Sequence, residues 1–394
     1  MKKFKLISLV FPTLLMAAGT SSAWAAPAVT NVAGNVQQGG QITISGSSFG
    51  ATGPNVVLFD TFDKGTVGNR ISTTTGSAAI GNWSSTSNNI ANPTYSSEQS
   101  LNGDSRSMRI RWFGGSGQQS SGPELFFPSV GSGSAVTISW WQFMPSNRSV
   151  PGTSGNEGPN WKWYWLYDSS KSWGDNSDYV STCLSNNNCD AMQGPYGTRS
   201  GASSGVWDSD WYGTIFKKGT WMRFTLSMKN ATSGGWAWNQ EISADRHSVP
   251  FDVKNIKTAA SGHAWNSLTL PGYGRDDSNG EAFYDDVYVA TGNGARARVE
   301  IGEAATYSSC KKLAILPTTA WSSTQVKATL HSVGQFKAND KVYLFVVDAD
   351  GSTSPGYGPL TVGQSSGSAQ SPAPTPTPPA PTATAPSGLN ISER

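Results

Sequence analysis

The chain has 394 residues, a formal net charge of +2, and charged side chains at only 14% of its positions. A near-neutral chain without a basic run argues against nucleic acid or an anionic membrane surface as the main partner. Glycine is abundant at 44 residues, tryptophan occurs 16 times, and there are three cysteines. Together with many Ser, Thr and Asn residues, this composition is common among secreted all-β proteins that handle carbohydrate.

The first 25 residues have the pattern of a secretory signal peptide. Lys2, Lys3 and Lys5 precede an apolar stretch at 6–18, which is shorter than the roughly 20 residues of a membrane span. Ala23-Trp24-Ala25 is a small-x-small cleavage pattern, so we expect cleavage after Ala25 and loss of three positive charges. The expected product is extracellular or periplasmic, or associated with the cell surface, and it has no membrane span.

The segments that follow alternate apolar and polar residues with period 2, which predicts β-strands. No amphipathic helix of more than two turns is evident, and the length favours two domains. The fold class is therefore all-β. The predicted strands lie at 42–46, 56–60, 107–113, 135–144, 160–168, 220–229, 266–274, 282–290, 297–302, 324–330 and 341–349.

Each of these strands has one apolar face and one mixed face. In the strand at 220–229, every second residue from Met222 to Met228 is apolar, and Trp221 and Arg223 lie on the other face. In the strand at 107–113, Met108 and Ile110 lie opposite Arg109 and Arg111. One face is expected to form the core and the other to meet solvent or a groove.

The segment NWKWYWLYD at 160–168 places aromatic residues on both faces of one strand. Trp161, Trp163 and Trp165 are candidates to fill the core, which would leave Lys162, Tyr164 and Asp168 on an open face. The reverse assignment places the tryptophans in a groove, and a third possibility buries both faces. Our candidate glycan-binding residues are Lys162, Tyr164, Trp161, Trp163, Trp221, Arg223 and Arg275.

The segment that opens the mature chain ends in Gly46, Phe49 and Gly50, and it resembles the start of TIG/IPT-type immunoglobulin-like domains. The strands after residue 295 resemble the end of such a domain. The resemblance implies an immunoglobulin-like sandwich made of residues 26–58 and 295–363, with a large domain at 59–294 inserted between them. The alternative is an N-terminal strand pair that packs on the large domain, followed by a separate C-terminal sandwich. Residues 364–394 form a Pro/Thr-rich tail that we expect to be disordered.

The large domain begins LFDTFDKG and ends EAFYDDVYVATG, with a Gly-x-Trp strand before its end. In these motifs it resembles the concanavalin A-like lectin/glucanase jelly rolls, a superfamily that includes laminin-G-like modules and polysaccharide lyases. The resemblance implies two curved antiparallel sheets whose concave face binds glycans.

Jelly-roll alginate lyases place their catalytic residues on three strands, and this sequence is similar to them only in part. The resemblance implies the arginine role for Arg109 or Arg111 and the tyrosine role for Tyr273, with Arg275 beside it. The Gln-x-His motif is missing, and His263 is the candidate substitute. The paired carboxylates of a glucanase are also missing, since Glu241 and Asp245 do not form that motif.

The remaining candidate features are a calcium site and a disulfide. Jelly rolls of this superfamily often hold a structural calcium ion, and Asp60, Asp63, Asp285 and Asp286 are its possible ligands. No cofactor is expected to be required. In an oxidising compartment, Cys183 and Cys189 are expected to form a disulfide, and Cys310 is then expected to have no disulfide partner.

Three functions are compatible with these patterns. The leading hypothesis is a secreted or cell-surface polysaccharide-binding protein that uses the concave face of the jelly roll. The second is a polysaccharide lyase acting on a uronic-acid polymer by β-elimination, and the third is a non-catalytic surface adhesion or matrix protein. The glycan and the oligomeric state are not encoded in any motif of the sequence.

Overall fold

The three-dimensional structure is a computed structural model. It describes residues 25–86, 93–103, 105–112, 119–146, 161–170, 177–183, 191–197, 214–215, 217–259, 261–275 and 280–366.

The described residues form strands joined by turns and loops, with a single 3-10 turn at Tyr307–Ser309. The first strands are β1 (Ala28–Asn35), β2 (Gln41–Ser47), β3 (Asn55–Asp60), β4 (Ser85–Thr86), β5 (Thr94–Ser96), β6 (Ser107–Trp112), β7 (Gln119–Ser120), β8 (Pro123–Val130) and β9 (Ala135–Phe143). The middle strands are β10 (Trp161–Tyr167), β11 (Ser177–Cys183), β12 (Ala191–Gly197), β13 (Thr214–Ile215), β14 (Met222–Lys229), β15 (Gly235–Ser243), β16 (Arg246–Ile256), β17 (Trp265–Thr269) and β18 (Tyr273–Arg275). The last strands are β19 (Gly280–Gly292), β20 (Arg298–Gly302), β21 (Leu313–Leu316), β22 (Thr318–Trp321), β23 (Gln325–Thr329), β24 (Lys341–Val347), β25 (Tyr357–Thr361) and β26 (Ser365–Ser366).

Two antiparallel sheets pack face to face in a larger sandwich. One has nine strands in the order β13-β12-β11-β10-β17-β8-β4, with β18 attached to β10 and β7 attached to β18. The other has eight strands in the order β16-β15-β14-β9-β19-β6-β5, with β3 attached to β19. Trp163 of the first sheet meets Phe224 of the second edge to face, with ring centroids 5.0 Å apart. The predicted all-β fold class is confirmed.

A smaller sandwich combines strands from the two ends of the described chain. Its five-stranded sheet has the order β22-β23-β2-β1-β26, and its four-stranded sheet has the order β21-β20-β24-β25. Ile44 of β2 lies opposite Val326 of β23, and both are fully buried. Their cluster also contains Phe49, Ile301 and Leu344, so early and late segments share one core.

The period-2 pattern of β14 correctly predicts which of its residues enter the larger core. Met222, Phe224, Leu226 and Met228 all lie in that cluster. The opposite face of β14 differs from the expectation of solvent or a groove, because Arg223, Thr225 and Ser227 are also buried. The smaller sandwich covers this face around Arg223, where Leu313 and Phe345 pack with Trp141 and Ile242.

Strand β10 does not follow the predicted alternation. Its register against β11 shifts between Lys162 and Tyr164, which is the sign of a β-bulge. As a result Trp163, Tyr164 and Leu166 all join the core of the larger sandwich. Tyr164 therefore does not lie on an open face, contrary to the expectation from strict alternation. The side chains of Trp161 and Lys162 lie outside the described part of the structure.

The structure also bears on the predicted strand at 266–274, on the cysteines and on membrane-spanning helices. The predicted strand at 266–274 is interrupted between β17 and β18, where Pro271 has no amide hydrogen to donate. Cys310 is buried and unpaired, whereas Cys189 and the Cys183 side chain lie outside the described residues, so their disulfide stays a prediction. Within the described ranges, no helix has the length and apolar character needed to cross a membrane.

Candidate functional site

The eight-stranded sheet has an outer face, defined here as the face turned away from the core of the larger sandwich. Along it, strand register places Arg109 of β6 opposite Phe283 of β19, and Phe283 opposite Phe143 of β9. Met222 of β14 pairs with Gln142 in an antiparallel register, so Trp221, which precedes Met222, lies beside Phe143. We call Phe143, Trp221 and Phe283 the aromatic row.

The rings of the aromatic row are in contact with one another. The Phe143 centroid lies 5.6 Å from that of Trp221 and 6.3 Å from that of Phe283. The guanidinium of Arg109 lies 5.6 Å above the Phe283 ring, a cation–π distance. Phe283 is buried, whereas Phe143 and Trp221 are half-buried, and Trp221 also packs against the cluster that contains Trp141 and Leu313.

Four charged side chains, which we call the Arg109 cluster, adjoin the aromatic row. Arg109 Nε donates to Glu281 Oε2 at 2.8 Å, and Arg109 Nη1 also pairs with Glu98. Arg111 Nε lies 3.7 Å from the same Glu281 oxygen. Arg109 and Glu281 are buried, but the side chains of Arg111 and Glu98 are 48% and 56% exposed. The cluster thus offers both donors and acceptors at the surface.

The candidate lyase residues are not all in one sheet. Tyr273 and Arg275 belong to β18, which joins the nine-stranded sheet, whereas Arg109 and Arg111 lie on the outer face of the other sheet. His263 precedes β17 of the nine-stranded sheet, and its carbonyl accepts a bond from Asn230 Nδ2 at 3.3 Å. The side chains of Tyr273 and Arg275 lie outside the described part, so their role stays a prediction. The backbone placement gives no support to a shared site with Arg109.

Arg223, a candidate glycan-binding residue, instead occupies the junction of the two sandwiches. Its Nη2 lies 2.7 Å from Glu300 Oε1 and donates to Gln240 Oε1 at 2.8 Å. Arg298 Nε lies 3.2 Å from the other Glu300 oxygen, to which the Tyr307 hydroxyl also donates. We call these residues, with His247, the junction network.

Hydrogen bonding fixes the state of His247 in this network. Nδ1 lies 2.8 Å from the Cys310 carbonyl, which only accepts, so Nδ1 carries the proton. Nε2 then accepts from Gln240 Nε2 at 3.1 Å. Burial lowers the pKa of His247, which agrees with a neutral ring. Burial alone would raise the pKa of Glu300, but Arg223 and Arg298 hold it below its ordinary value.

The four candidate calcium ligands lie near the start of the larger sandwich, where Asp60 pairs with Val287. Both oxygens of Asp60 accept N–H bonds, from Phe62 at 2.9 Å and from Trp83 Nε1 at 2.8 Å. Both oxygens of Asp285 also accept backbone N–H bonds, and Asp286 accepts from Ser332 Oγ at 2.8 Å. Asp63 accepts the backbone N–H of Arg106 at 3.0 Å.

Asp60, Asp285 and Asp286 are protonated more readily than ordinary carboxyl groups. Burial raises the pKa of Asp60 to about 6 and that of Asp286 to about 7, and it raises that of Asp285 well above its usual range. Within the described residues, no three carboxylate, imidazole or thiol groups are arranged to hold a metal ion. N–H donors already engage both oxygens of Asp60 and of Asp285, which does not favour a calcium ligand set, and calcium stays a prediction.

Glu98 and Glu281 are site residues that the sequence did not reveal. Glu281 lies directly opposite Arg111, so pairing the strand at 282–290 with that at 107–113 would have brought it beside the arginines. Phe143 and Phe283 belong to predicted strands, but their neighbours across the sheet depend on strand order. That order is not readable from period-2 alternation.

No protein-family model matches the sequence, and no curated protein matches it. Among solved structures, the fold is similar to the cellulose-induced protein Cip1, with a TM-score of 0.33 and 12% identity over 59% of this chain and 96% of that one. It is similar to a GH131 β-glucanase catalytic domain from Podospora anserina, with a TM-score of 0.36 and 13% identity over 59% and 95% of the two chains. It is also similar to the alginate lyase vAL-1 from Chlorella virus, with a TM-score of 0.33 and 12% identity over 53% and 92%. At these values no function transfers, so the function has to come from the residues of this chain.

Proposed function

We propose that the protein binds a polysaccharide along the aromatic row on the outer face of the eight-stranded sheet. The observation that carries the proposal is the continuity of the half-buried rings of Phe143 and Trp221, through Phe283, with the Arg109 cluster and its exposed charges of Arg111 and Glu98. A sugar ring has apolar C–H faces that pack on aromatic rings, and hydroxyl groups that need both donors and acceptors. The aromatic row and the Arg109 cluster supply both kinds of contact.

The charge balance of the site favours a neutral polysaccharide. Arg109 and Arg111 are matched by Glu98 and Glu281, and Arg109 is held by both carboxylates. Among the described residues, the Arg109 cluster therefore has no excess positive charge for an acidic polymer, and its exposed charged groups serve as hydrogen-bond partners.

We further propose that residues 26–58 and 295–363 form one immunoglobulin-like domain of TIG/IPT type, which acts as a spacer or attachment platform for the inserted domain at 59–294. The pairing of β2 with β23 and their shared core support this division. The sequence pattern of residues 1–25 supports export of the protein.

Affinity electrophoresis of the mature chain through gels containing neutral or acidic polysaccharides tests the binding proposal. We expect retardation by at least one neutral polysaccharide, and loss of it in Phe143→Ala and Trp221→Ala. Phe126→Ala is the matched control, because Phe126 is a 51% exposed aromatic residue of β8 in the other sheet. Equal retardation of all variants would contradict the proposal. Formation of an unsaturated product that Tyr273→Phe abolishes would replace it with the lyase hypothesis.

A further inference from the structure

A cleft of about 280 Å³ lies at the junction of the two sandwiches, apart from the aromatic row. Trp238, His247 and Val249 line it from the eight-stranded sheet, and Arg296, Tyr307 and Gly351 line it from the smaller sandwich. Its volume is at the lower end of the range for small-molecule sites. A ligand the size of one sugar unit fits that volume, whereas a polymer strand does not.

The cleft contains a buried cation without a carboxylate partner. Arg223 and Arg298 share Glu300, but Arg296 has no carboxylate within 4.0 Å among the described residues. Arg296 is only 7% exposed, and its Nη1 donates to the carbonyl of Asp350 at 3.0 Å. Its Nε has no hydrogen-bond partner within the described part of the chain. Burial, reinforced by Arg298, lowers the pKa of Arg296 to about 10, which leaves it positively charged at neutral pH.

Packing fixes the position of this guanidinium. It lies 4.8 Å from the ring of Trp238 and 5.4 Å from that of Trp236. Gly351 has a φ of +90° and lies so close that a Cβ there would come within 2.2 Å of the Arg296 Cζ atom. The guanidinium is thus held in place before any ligand arrives, which reduces the entropy that binding would cost.

We propose that this cleft binds a small organic monocarboxylate, such as a sugar acid, through Arg296. Arg223, Arg298 and Arg296 have one paired carboxylate, Glu300, between them among the described residues, so positive charge is left for an anion, and a planar guanidinium matches a planar carboxylate. The apolar surface of Trp238 and Val249 suits the organic part of such a ligand better than it suits an inorganic ion. The proposal does not depend on polysaccharide binding at the aromatic row.

Calorimetric titration of the full mature chain with glucuronate, glucose and inorganic phosphate tests this proposal. We expect saturable binding of glucuronate only. Arg296→Gln is expected to weaken it by about tenfold or more, because the charged partner is lost. Binding of glucose or phosphate as tight as that of glucuronate would overturn the assignment, and so would no binding of glucuronate or its full retention in Arg296→Gln.

A second pair of variants covers the case in which Arg296→Gln does not fold. Val249 and Val67 are 47% and 48% exposed, but only Val249 lines the cleft. Val249→Asp places a negative charge at the cleft and is expected to weaken glucuronate binding about tenfold, whereas Val67→Asp is expected to leave it unchanged. Equal binding by both variants would overturn the proposal.

Phe143→Ala is expected to keep glucuronate binding, so failure of binding at the aromatic row is distinguishable from failure of binding at the cleft.

Discussion

Arg223 of the larger sandwich and Glu300 of the smaller one form an ion pair in which Nη2 lies 2.7 Å from Oε1, and neither side chain reaches solvent. Arg298 approaches the same carboxylate from the smaller sandwich, so one acidic group holds two cations. The pair joins the sandwiches where an open groove was expected, which is why Arg223 is unsuited to contact a glycan.

Glu300→Gln is expected to lower the free energy of unfolding by about 3–5 kcal/mol, because it leaves two buried arginines without their counter-charge. Denaturant titration of the mature chain measures the change. Lys217→Met is the control, since it breaks an ion pair with Asp245 in which both side chains are more than half exposed. We expect little change there, and equal effects of the two substitutions would contradict a stabilising role for the buried pair.

Tyr164→Phe is expected to leave stability unchanged or to raise it by about 1 kcal/mol, because the Tyr164 hydroxyl is buried without a hydrogen-bond partner among the described residues. Tyr307→Phe is the matched substitution, and it is expected to lower the stability of the protein. The Tyr307 hydroxyl accepts from Arg298 at 2.9 Å and donates to Glu300, so its loss should lower Tm. A larger loss in Tyr164→Phe than in Tyr307→Phe would show that this assignment of partners is wrong.

Arg111→Leu is expected to reduce polysaccharide retardation with little effect on Tm, because the Arg111 side chain is 48% exposed and its Nε lies 3.7 Å from Glu281, a long ion-pair distance. Arg109→Leu should lower both, since it leaves the buried carboxylate of Glu281 without its main partner. Thermal unfolding and affinity electrophoresis on the same preparations separate the two effects. Unaltered retardation in a folded Arg111→Leu variant would remove Arg111 from the proposed site.

The raised pKa of Asp286, about 7 in the folded chain against an ordinary 3.8, predicts a pH dependence of stability. Between these two values the folded state retains a proton that the unfolded state has released. The contribution of Asp286 to stability is therefore fully present below about pH 4 and is lost as the pH rises towards 7. Asp286→Asn should make this decline shallower, and the raised pKa values of Asp60 and Asp285 should account for the part that remains, which unfolding titrations between pH 4 and 8 would measure.

Asp350→Asn, at an exposed carboxyl group of the smaller sandwich, serves as the control for this titration and should keep the wild-type decline. A further variant, Asp285→Asn, tests the predicted calcium ion. A rise in Tm on adding calcium that Asp285→Asn abolishes would establish a calcium site there. Identical pH profiles for wild type and Asp286→Asn would contradict the role given to Asp286.

Period-2 alternation predicted the apolar faces of β6 and β14 correctly, since each residue's side follows from its position in the strand, but it missed whole strands such as β8, β15 and β16. It failed at β10, where a bulge places Trp163 and Tyr164 in the same core. It also could not show that the polar face around Arg223 is covered, because Glu300 comes from a strand far away in the sequence. The aromatic row was missed for a similar reason: its members belong to separate strands, and only their pairing reveals them.

The pairing of Gln41 with Thr329 has a consequence for the order in which the chain acquires its structure. Strand β2 has no β23 to pair with until the ribosome has made most of the polypeptide. The smaller sandwich therefore forms only after synthesis of the intervening segment, and closing so long a loop makes its assembly slow. Until then the apolar side of β1 and β2 is without its final cover, so aggregation during biosynthesis is most expected from the first strands of the chain.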